Sequence, residues 1–217
     1  MDRHSQLDNS RLYFICGARP GGRDLADVLP AALAGGADIF QLRVKQTPET
    51  VLLRAAETAR AACEQAGALF ILNDRPDLVE RTGADGVHVG QTDSAVADAR
   101  ALIGDDRLIG VSTHEPSQLS KAIADGADYA GVGPVNETPT KPGRAAVGLE
   151  YVRYATKHST IPFFAIGGLD VNTVGDAIAA GATRIAVVRA IAESADPAQA
   201  ARDLRQAAGI GALSGKA

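Results

Sequence analysis

The amino-acid sequence predicts a single α/β domain of the (β/α)8, or TIM-barrel, class. Eight short apolar segments alternate with eight amphipathic segments along the 217 residues, without a linker or a break in composition. A related pentapeptide recurs where a predicted helix ends and the next strand begins, as G-G-A-D-I at 35–39, T-G-A-D-G at 82–86, D-G-A-D-Y at 125–129 and A-G-A-T-R at 180–184. An open doubly wound sheet is the rival fold, but no G-x-G-x-x-G motif opens a helix. The barrel is therefore the predicted fold.

Each predicted strand is a short apolar or β-branched run, as expected for strands covered by helices on one face and packed inside a barrel on the other. The predicted strands are 11–16, 39–43, 69–72, 86–89, 108–112, 129–132, 163–167 and 184–188. Most predicted helices open near a capping residue or a proline and close at a glycine. The predicted helices are 24–34, 47–66, 75–81, 94–103, 116–125, 149–158, 171–180 and 197–207. We assign residues 11–208 to the barrel, 1–10 to a polar N-terminal tail and 209–217 to a C-terminal tail.

Composition restricts the classes of partner. The net charge is −4 and hydrophobic residues make up 46% of the chain, which supports a sizeable core but no basic surface for nucleic acid or an anionic membrane. No apolar run approaches the ~20 residues of a membrane span, and the polar N-terminal segment lacks the apolar stretch of a signal peptide. Cys16 and Cys63 lie in apolar patterns and are predicted to be buried free thiols. We expect a cytoplasmic protein, and the sequence allows a homo-oligomer.

Polar side chains concentrate where predicted strands end, the face on which barrels of this class carry their chemistry. Gln41, Arg43 and Lys45 alternate along the second strand and its continuation, so their side chains are expected on one side. Two cations and an amide at a barrel mouth indicate an anionic ligand. Each cation–anion contact at ~4 Å is worth roughly 4 kcal/mol at an effective dielectric constant near 20, before desolvation. Pairing of these cations with nearby carboxylates is the alternative.

Asp74 and Asp93 are the candidate metal ligands. They follow the third and fourth predicted strands, which are neighbours in a barrel. Two carboxylates suit Mg²⁺, because this ion keeps several waters and substrate oxygens and seldom takes an all-protein cage. Each aspartate alone is more often a helix N-cap, and both precede predicted helices, so capping is the alternative.

A phosphate site is predicted after the last two strands. Gly167-Gly168 precede a predicted helix, and Val188-Arg189-Ala190 follow the eighth strand. Barrels often bind phosphate at these two loops through backbone N–H groups. A plain tight turn is the alternative.

The segment 131–148 is a long connection between the sixth predicted strand and the next helix. Compact domains seldom keep an unstructured loop of this length unless it binds something. Its hydroxyl and cationic side chains are those of Thr138, Thr140, Lys141 and Arg144. We predict an anion-binding lid, with a solvated, proline-stiffened surface loop as the alternative.

The histidines carry weaker indications. His88 lies within a predicted strand and is expected to be a core or supporting residue. His114 lies close to Ser112 but has no acid–base partner in the sequence. No G-x-S-x-G motif and no cysteine–histidine pattern of a nucleophilic enzyme is present.

Together these segments resemble the thiamine-phosphate synthase family over about residues 11–207. The resemblance is carried by Q-L-R-V-K at 41–45, N-D at 73–74, H-V-G-Q-T-D at 88–93, G-V-S-T-H at 110–114, G-P-V-N-E-T-P-T-K at 133–141 and I-G-G at 166–168. It implies a transferase that joins two phosphorylated small molecules and releases pyrophosphate. These are 4-amino-2-methyl-5-(diphosphooxymethyl)pyrimidine and hydroxyethylthiazole phosphate, carboxylated or not, and the product is thiamine phosphate. It also implies a dissociative mechanism in which pyrophosphate leaves before the thiazole nitrogen attacks.

The resemblance implies a role for each matched position. The residues implied on the pyrimidine pyrophosphate are Gln41, Leu42, Arg43, Val44, Lys45, Asn73, Ser112 and Lys141. Those implied on the thiazole phosphate are Thr138, Pro139, Thr140, Gly168, Val188 and Arg189. Asp74 and Asp93 are implied ligands of one Mg²⁺ per active site. The residues implied in catalysis are Arg43, Lys45, Ser112 and Lys141.

Three positions depart from the family pattern. Val44 replaces a common acidic residue, and Asn136 replaces a common aromatic one, which is expected to loosen the packing of the lid on substrate. Arg189 replaces a common serine and is expected to be an extra phosphate ligand. The alternatives are a thiazole tautomerase-like isomerase on the same fold, for which His114 is the candidate acid–base, a phosphate-binding barrel of other metabolism, and a non-enzymatic ligand-binding barrel.

Overall fold

Eight parallel strands close into a barrel in chain order, with the first strand pairing the last, as predicted. The computed structural model describes residues 2–45, 47–138, 143 and 145–210. The strands are β1 Leu12–Cys16, β2 Ile39–Leu42, β3 Leu69–Asn73, β4 Gly86–Val89, β5 Leu108–Thr113, β6 Tyr129–Val132, β7 Phe163–Ile166 and β8 Ile185–Val187. Each agrees with its predicted segment to within one residue at either end.

Helices connect the strands and form the outer layer. In the described ranges they are α1 Arg3–Asn9, α2 Leu25–Ala34, α3 Glu49–Ala66, α4 Val79–Thr82, α5 Val96–Ile103, α6 Pro116–Ala124, α7 Gly148–His158, α8 Val174–Ala179, α9 Arg189–Ala192 and α10 Pro197–Ala207. The predicted helix 75–81 is a 3-10 turn at Pro76–Leu78 followed by α4. None of these helices is long and apolar enough to cross a membrane.

Alternation along the strands divides the core into two layers. The inner layer fills the barrel and includes Tyr13, Tyr129 and Phe164, whose rings meet edge to face. The outer layer, which includes Phe40 and Leu42, packs between the strands and the helices. Successive side chains of a strand point to opposite faces of the sheet, so neighbours in sequence lie in different layers. Only the side chains that point into the barrel can reach a ligand there.

The recurring pentapeptide ends a helix and also joins two neighbouring strands, because its aspartate accepts hydrogen bonds from the backbone of the preceding strand. The Oδ2 atom of Asp38 accepts hydrogen bonds from the backbone N–H groups of Arg11 and Leu12 at the start of β1. Asp85 does the same for Phe70 in β3. Each aspartate thus fixes the beginning of the strand that precedes its own.

Asp128 makes the corresponding joint for β5 by accepting from Ile109 N at 2.6 Å. An arginine neutralises each carboxylate, as in the pairs Arg100–Asp128 at 2.7 Å and Arg205–Asp38 at 3.0 Å. The fourth copy of the pentapeptide has Thr183 at this place and therefore has no carboxylate.

The N-terminal segment is a helix, which corrects the prediction of a polar tail for residues 1–10. Asp2 caps α1 by accepting from Ser5 N at 2.9 Å. Leu7 is only 2% exposed and joins the inner core, while Arg3 binds Asp85 at 2.8 Å. One apolar residue in a seven-residue helix leaves no periodic pattern in the sequence, so this helix could not be recognised from hydrophobicity.

Candidate active site

A cavity of about 290 Å³ opens at the carboxyl ends of the strands, where the sequence placed the site. Eight of the predicted site residues line it, namely Gln41, Arg43, Asn73, Ser112, Thr138, Gly168, Val188 and Arg189. These residues come from the ends of six strands or the loops that follow them. The barrel therefore gathers into one cavity residues that are distant in sequence.

Two predicted contacts face away from this cavity. Leu42 is 1% exposed and packs in the outer core, and Val44 packs partly buried against the same layer. Strand parity explains the difference, because Gln41 and Arg43 point inward and their neighbours point outward. The prediction that Leu42 and Val44 bind substrate therefore stays a prediction of backbone contacts, because their side chains pack in the outer layer.

Lys45 forms an ion pair with the first candidate metal ligand. Its Nζ lies 2.8 Å from Oδ2 of Asp74, and neither residue is among those that line the cavity. This is the carboxylate pairing that the sequence left open as an alternative to anion binding. Asp74 also has a positive φ of 60°, a conformation that costs a non-glycine residue on the order of 1 kcal/mol. The structure thus holds the Asp74 carboxylate in a strained turn against a cation.

The two aspartates are not helix caps. The 3-10 turn after β3 has Arg75 at its N-cap and α5 has Ala95, and neither end has a side-chain cap bond. Asp93 instead accepts from Gly90 N at 2.8 Å. No cluster of three or more histidine, cysteine or acidic side chains with metal-site geometry occurs among the residues described.

The donor set nevertheless fits Mg²⁺. Two carboxylates supply hard oxygen ligands, and the remaining positions of this ion are normally filled by water and phosphate oxygens. The ammonium group of Lys45 already shows that Asp74 accepts a positive charge at this place. Asp74 and Asp93 are therefore suited to hold a divalent cation together with a phosphorylated ligand.

Asn73 carries an unpaired buried donor. Its Nδ2 atom has no hydrogen-bond partner among the described residues, although the residue is only 7% exposed and lines the cavity. An unsatisfied buried amide costs roughly 1–3 kcal/mol. A ligand oxygen would satisfy it.

The floor of the cavity contains a hydrogen-bonded chain that the sequence did not predict. Gln41 Nε2 donates to Tyr13 Oη at 2.6 Å, and Tyr13 Oη lies 2.9 Å from Tyr129 Oη. Tyr129 Oη is 3.3 Å from His88 Nδ1, and His88 Nε2 is 2.9 Å from Ser112 Oγ. Burial raises the pKa of both tyrosines well above the ordinary value, so both hydroxyls are protonated at neutral pH.

The glycine turn after β7 presents backbone donors to the cavity. Gly167 and Gly168 have φ values of 107° and 61°, which favour glycine, and a Cβ at Gly168 would lie 2.7 Å from Asn136 Cβ. Gly168 O accepts from Asn136 Nδ2 at 3.2 Å and from Thr173 Oγ1 at 3.3 Å. The N–H groups of Gly168 and Leu169 have no acceptor among the residues that the structure describes. They remain available to an anion.

Arg189 begins the short helix α9 and lines the same cavity. Its Nη1 atom is 3.9 Å from Oε2 of Glu193, and its side chain is 46% exposed. At that distance and exposure the pair is weak, so the guanidinium can turn to a ligand.

The base of the loop after β6 is bound to the glycine turn. Val135 N donates to Ile166 O at 2.8 Å, Asn136 N donates to Gly167 O at 3.0 Å, and Val147 N donates to Pro134 O at 2.8 Å. Asn136 thus ties the loop to the glycine turn, through its backbone N–H to Gly167 O and through its side-chain amide to Gly168 O. Thr138 lines the cavity. The predicted ligands Pro139, Thr140 and Lys141, together with Arg144, lie outside the described residues.

His114 is oriented toward the cavity by the backbone. Its Nδ1 atom pairs with Gly133 O, and its own N–H donates to Gln118 Oε1 at 2.9 Å. Because a carbonyl oxygen only accepts, Nδ1 carries the proton. The partner of His114 is therefore a main-chain group, which sequence reasoning could not identify.

These features define a class of protein. A (β/α)8 barrel whose cavity joins two arginine side chains, an unpaired amide and a glycine turn is suited to bind phosphorylated small molecules. The chain belongs to the thiamine monophosphate synthase family, whose family model matches residues 12–191.

Relatives of known name agree with this family. The chain is 51% identical over 195 residues to thiamine-phosphate synthase of Nostoc sp., covering 90% of this chain and 55% of the relative. It therefore spans about half the length of the cyanobacterial relatives that it matches. It is also 44% identical to thiamine-phosphate synthase of Arthrobacter sp., covering 98% of this chain and 100% of the relative.

Solved structures give the same result. Thiamine phosphate pyrophosphorylase from Pyrococcus furiosus superposes with a TM-score of 0.85 at 30% identity, covering 94% of this chain and 97% of that one. A 3-hexulose-6-phosphate synthase superposes with a TM-score of 0.63 at 23% identity, over 91% of this chain and 99% of the other. At that identity the second match shows the fold alone.

Proposed function

We propose that this chain is a thiamine-phosphate synthase that joins the pyrimidine pyrophosphate and hydroxyethylthiazole phosphate and releases pyrophosphate. The observation that carries the proposal is the pairing of two anion-binding sets in one cavity. The first set has Arg43 and the unsatisfied amide of Asn73. The second has the glycine turn at Gly168 and the guanidinium of Arg189. Two phosphorylated substrates require two such sets.

The leaving pyrophosphate is the first charge that the residues must stabilise. In the proposed reaction the bond between the pyrimidine methylene carbon and the pyrophosphate oxygen breaks, and both electrons leave with the oxygen. Arg43, Lys45, Asn73 and Lys141 would hold the growing negative charge. Lys45 would exchange the Asp74 carboxylate for a pyrophosphate oxygen. Asp74 and Asp93 would hold one Mg²⁺, which supplies further positive charge on the leaving group.

The methylene cation that remains must be kept from water until the thiazole nitrogen donates its lone pair to form the new C–N bond. The floor of the cavity is suited to this task, because Tyr13, Tyr129 and Phe164 are each at most 2% exposed. Gln41 and Ser112 would orient the pyrimidine ring. No protein nucleophile takes part, in agreement with the lack of a nucleophile motif in the sequence.

The thiazole phosphate would bind at the other set of donors. The N–H groups of Gly168 and Leu169, which have no backbone acceptor among the described residues, and the start of α9 at Arg189 would hold its phosphate, and Thr138 would contact it from the loop. The isomerase alternative has no support from the relatives described above, which are named as synthases or pyrophosphorylases. A cytoplasmic location and assembly into a homo-oligomer belong to the same proposal.

The deciding assay is release of pyrophosphate from the two purified substrates, with and without Mg²⁺. We expect release that needs both substrates and falls at least 100-fold in the Asp74→Ala variant, since that change removes a carboxylate from the leaving-group site. No release, or release that neither EDTA nor Asp74→Ala reduces, would defeat the proposal.

A further inference from the structure

The chain of hydrogen bonds on the cavity floor connects five strands and ends at a residue that lines the cavity. It runs from Gln41 on β2 through Tyr13, Tyr129 and His88 to Ser112 on β5. Its first four members are at most 9% exposed. These four side chains are therefore largely shielded from bulk water, which strengthens the hydrogen bonds between them.

A glycine inside β5 makes this chain possible. Gly110 pairs with His88 on one side and with Tyr129 on the other. A Cβ at Gly110 would lie 2.1 Å from Tyr129 Cζ and 2.5 Å from His88 Nδ1. Glycine weakens a strand interior and often marks a close approach of other groups. Here it lets two side chains from flanking strands meet across the strand between them, with ring centroids 5.5 Å apart.

The direction of the chain follows from its first donor. Gln41 Nε2 can only donate, so Tyr13 Oη accepts from it. A buried hydroxyl proton left without an acceptor costs roughly 1–3 kcal/mol, so the hydroxyl of Tyr13 donates a hydrogen bond to Tyr129 Oη. Tyr129 by the same reasoning donates to His88 Nδ1. A neutral imidazole that accepts at Nδ1 carries its proton at Nε2, and this proton points to Ser112 Oγ.

We propose that His88 is a positioning residue that makes the Ser112 hydroxyl a hydrogen-bond donor to the ligand. Because Ser112 Oγ accepts from His88 Nε2, its own proton is left to point into the cavity that it lines. The inference rests on the proposed function for the identity of the ligand and extends it by naming the chemistry that the floor selects.

The consequence is a preference for one arrangement of polar atoms on the ligand. Ser112 offers a donor and therefore selects a ring nitrogen with a lone pair. Gln41 uses its amide N–H on Tyr13 and keeps Oε1 as an acceptor, which suits an exocyclic amino group. An aminopyrimidine ring carries both atoms, whereas the keto form of the corresponding hydroxypyrimidine has a carbonyl in place of the amino group and cannot donate from that position to Oε1 of Gln41.

The tautomer of His88 tests the inference without substrate. The ¹⁵N resonances of the histidine rings in the full-length, unliganded protein distinguish a protonated Nε2 from a protonated Nδ1, and a His88→Gln variant identifies the His88 signals. We expect the Nε2–H tautomer at pH 7. An Nδ1–H tautomer, or a doubly protonated ring at that pH, would overturn the inference.

A double-mutant cycle tests whether His88 acts through Ser112. His88→Phe and Ser112→Ala should each raise the KM for the pyrimidine substrate about tenfold and change the thiazole-phosphate KM less than about twofold, since each removes a hydrogen bond to one substrate. The double variant should be no worse than about twofold beyond Ser112→Ala alone. Independent action would multiply the two losses to about 100-fold and would count against the inference.

The conservative variant His88→Gln is the matched control, because its amide nitrogen can reach the position of Nε2 and donate to Ser112. We expect its pyrimidine KM to stay within about threefold of the parent value. If His88→Phe does not fold, the tautomer and the His88→Gln value decide the question. If the parent chain releases no pyrophosphate, the proposed function fails, but the tautomer still decides the arrangement of protons.

Discussion

Arg189 is a charged residue that lines the cavity beside the glycine turn. The geometry leaves its guanidinium available, because its contact with Glu193 is 3.9 Å long and both side chains are about half exposed. In the proposed function Arg189 adds positive charge to the phosphate site formed by the glycine turn.

We predict that Arg189→Ala raises the KM for thiazole phosphate about tenfold, since one charge-assisted contact is lost, and leaves the KM for the pyrimidine pyrophosphate within about twofold. Steady-state kinetics with each substrate varied in turn measures the two values. Arg153→Ala is a suitable control, because Arg153 lies on α7 with a comparably exposed side chain, pairs with Glu150 and does not line the cavity. Equal effects of Arg189→Ala on both KM values would contradict the assignment.

Single residues also show where sequence reasoning was sufficient. Gln41, Arg43 and Ser112 were found because polar residues at strand ends are unusual in a chain that buries its strands. Tyr13 and Tyr129 were missed because aromatic residues in apolar strands look like core, and they are core as well; His88 was expected to be a core or supporting residue, without its partners. The glycine within β5 was the available indication of a close approach. It could not by itself name the rings that meet there.

The aspartate of the recurring pentapeptide has a structural role that could not be predicted from the sequence. The glycine was interpreted as a helix end, and the echo glycines do have positive φ values, such as 105° at Gly36 and 84° at Gly126. The aspartate two residues later has a second task, because its carboxylate reaches the start of the preceding strand. Such a contact depends on the pairing of strands and is invisible in local sequence.

We predict that Asp128→Ala lowers the free energy of unfolding by about 2–3 kcal/mol, because it removes a largely buried carboxylate that holds Ile109 N and the guanidinium of Arg100. Urea denaturation monitored by far-ultraviolet circular dichroism measures the change.

Asp125→Ala provides the comparison from the same end of α6. Asp125 pairs only with the exposed Lys121 among the ion pairs of the described residues, so its removal should cost less than about 0.5 kcal/mol. Similar losses in the two variants would show that the joint contributes nothing beyond surface charge.

Helices α1 and α9 are too short to be predicted from hydrophobic periodicity. Helix α1 has seven residues, of which only Leu7 is buried, and helix α9 has four residues. Neither is long enough to show a repeating apolar face. Long helices such as α3 were recognised, and α10 was predicted with its observed ends, because their apolar spacing and terminal residues agree.

The closed barrel buries both cysteines in the layer between strands and helices. Cys16 is 3% exposed and Cys63 is 1% exposed. Burial raises the pKa of Cys16 to about 12, and burial together with the Asp85 carboxylate raises the pKa of Cys63. Neither thiol is therefore ionised in the folded protein at pH 8.

We predict that a thiol reagent at pH 8 labels neither cysteine in the folded protein and labels both across the urea transition, because only the unfolded chain exposes a thiolate. Stability should also fall as pH rises from the ordinary thiol pKa of 9.0 towards about 12, since the unfolded thiol ionises first. Mass spectrometry of labelled samples provides the measurement. Labelling of Cys16 well before the main transition would show that the barrel opens locally at β1.

Three of the four copies of the pentapeptide place a carboxylate against the start of the preceding strand, and the copy between β7 and β8 has Thr183 at the corresponding place. The glycine turn and Arg189 follow these two strands at their carboxyl ends. We therefore expect the start of β7 to open more readily than the starts of β1, β3 and β5.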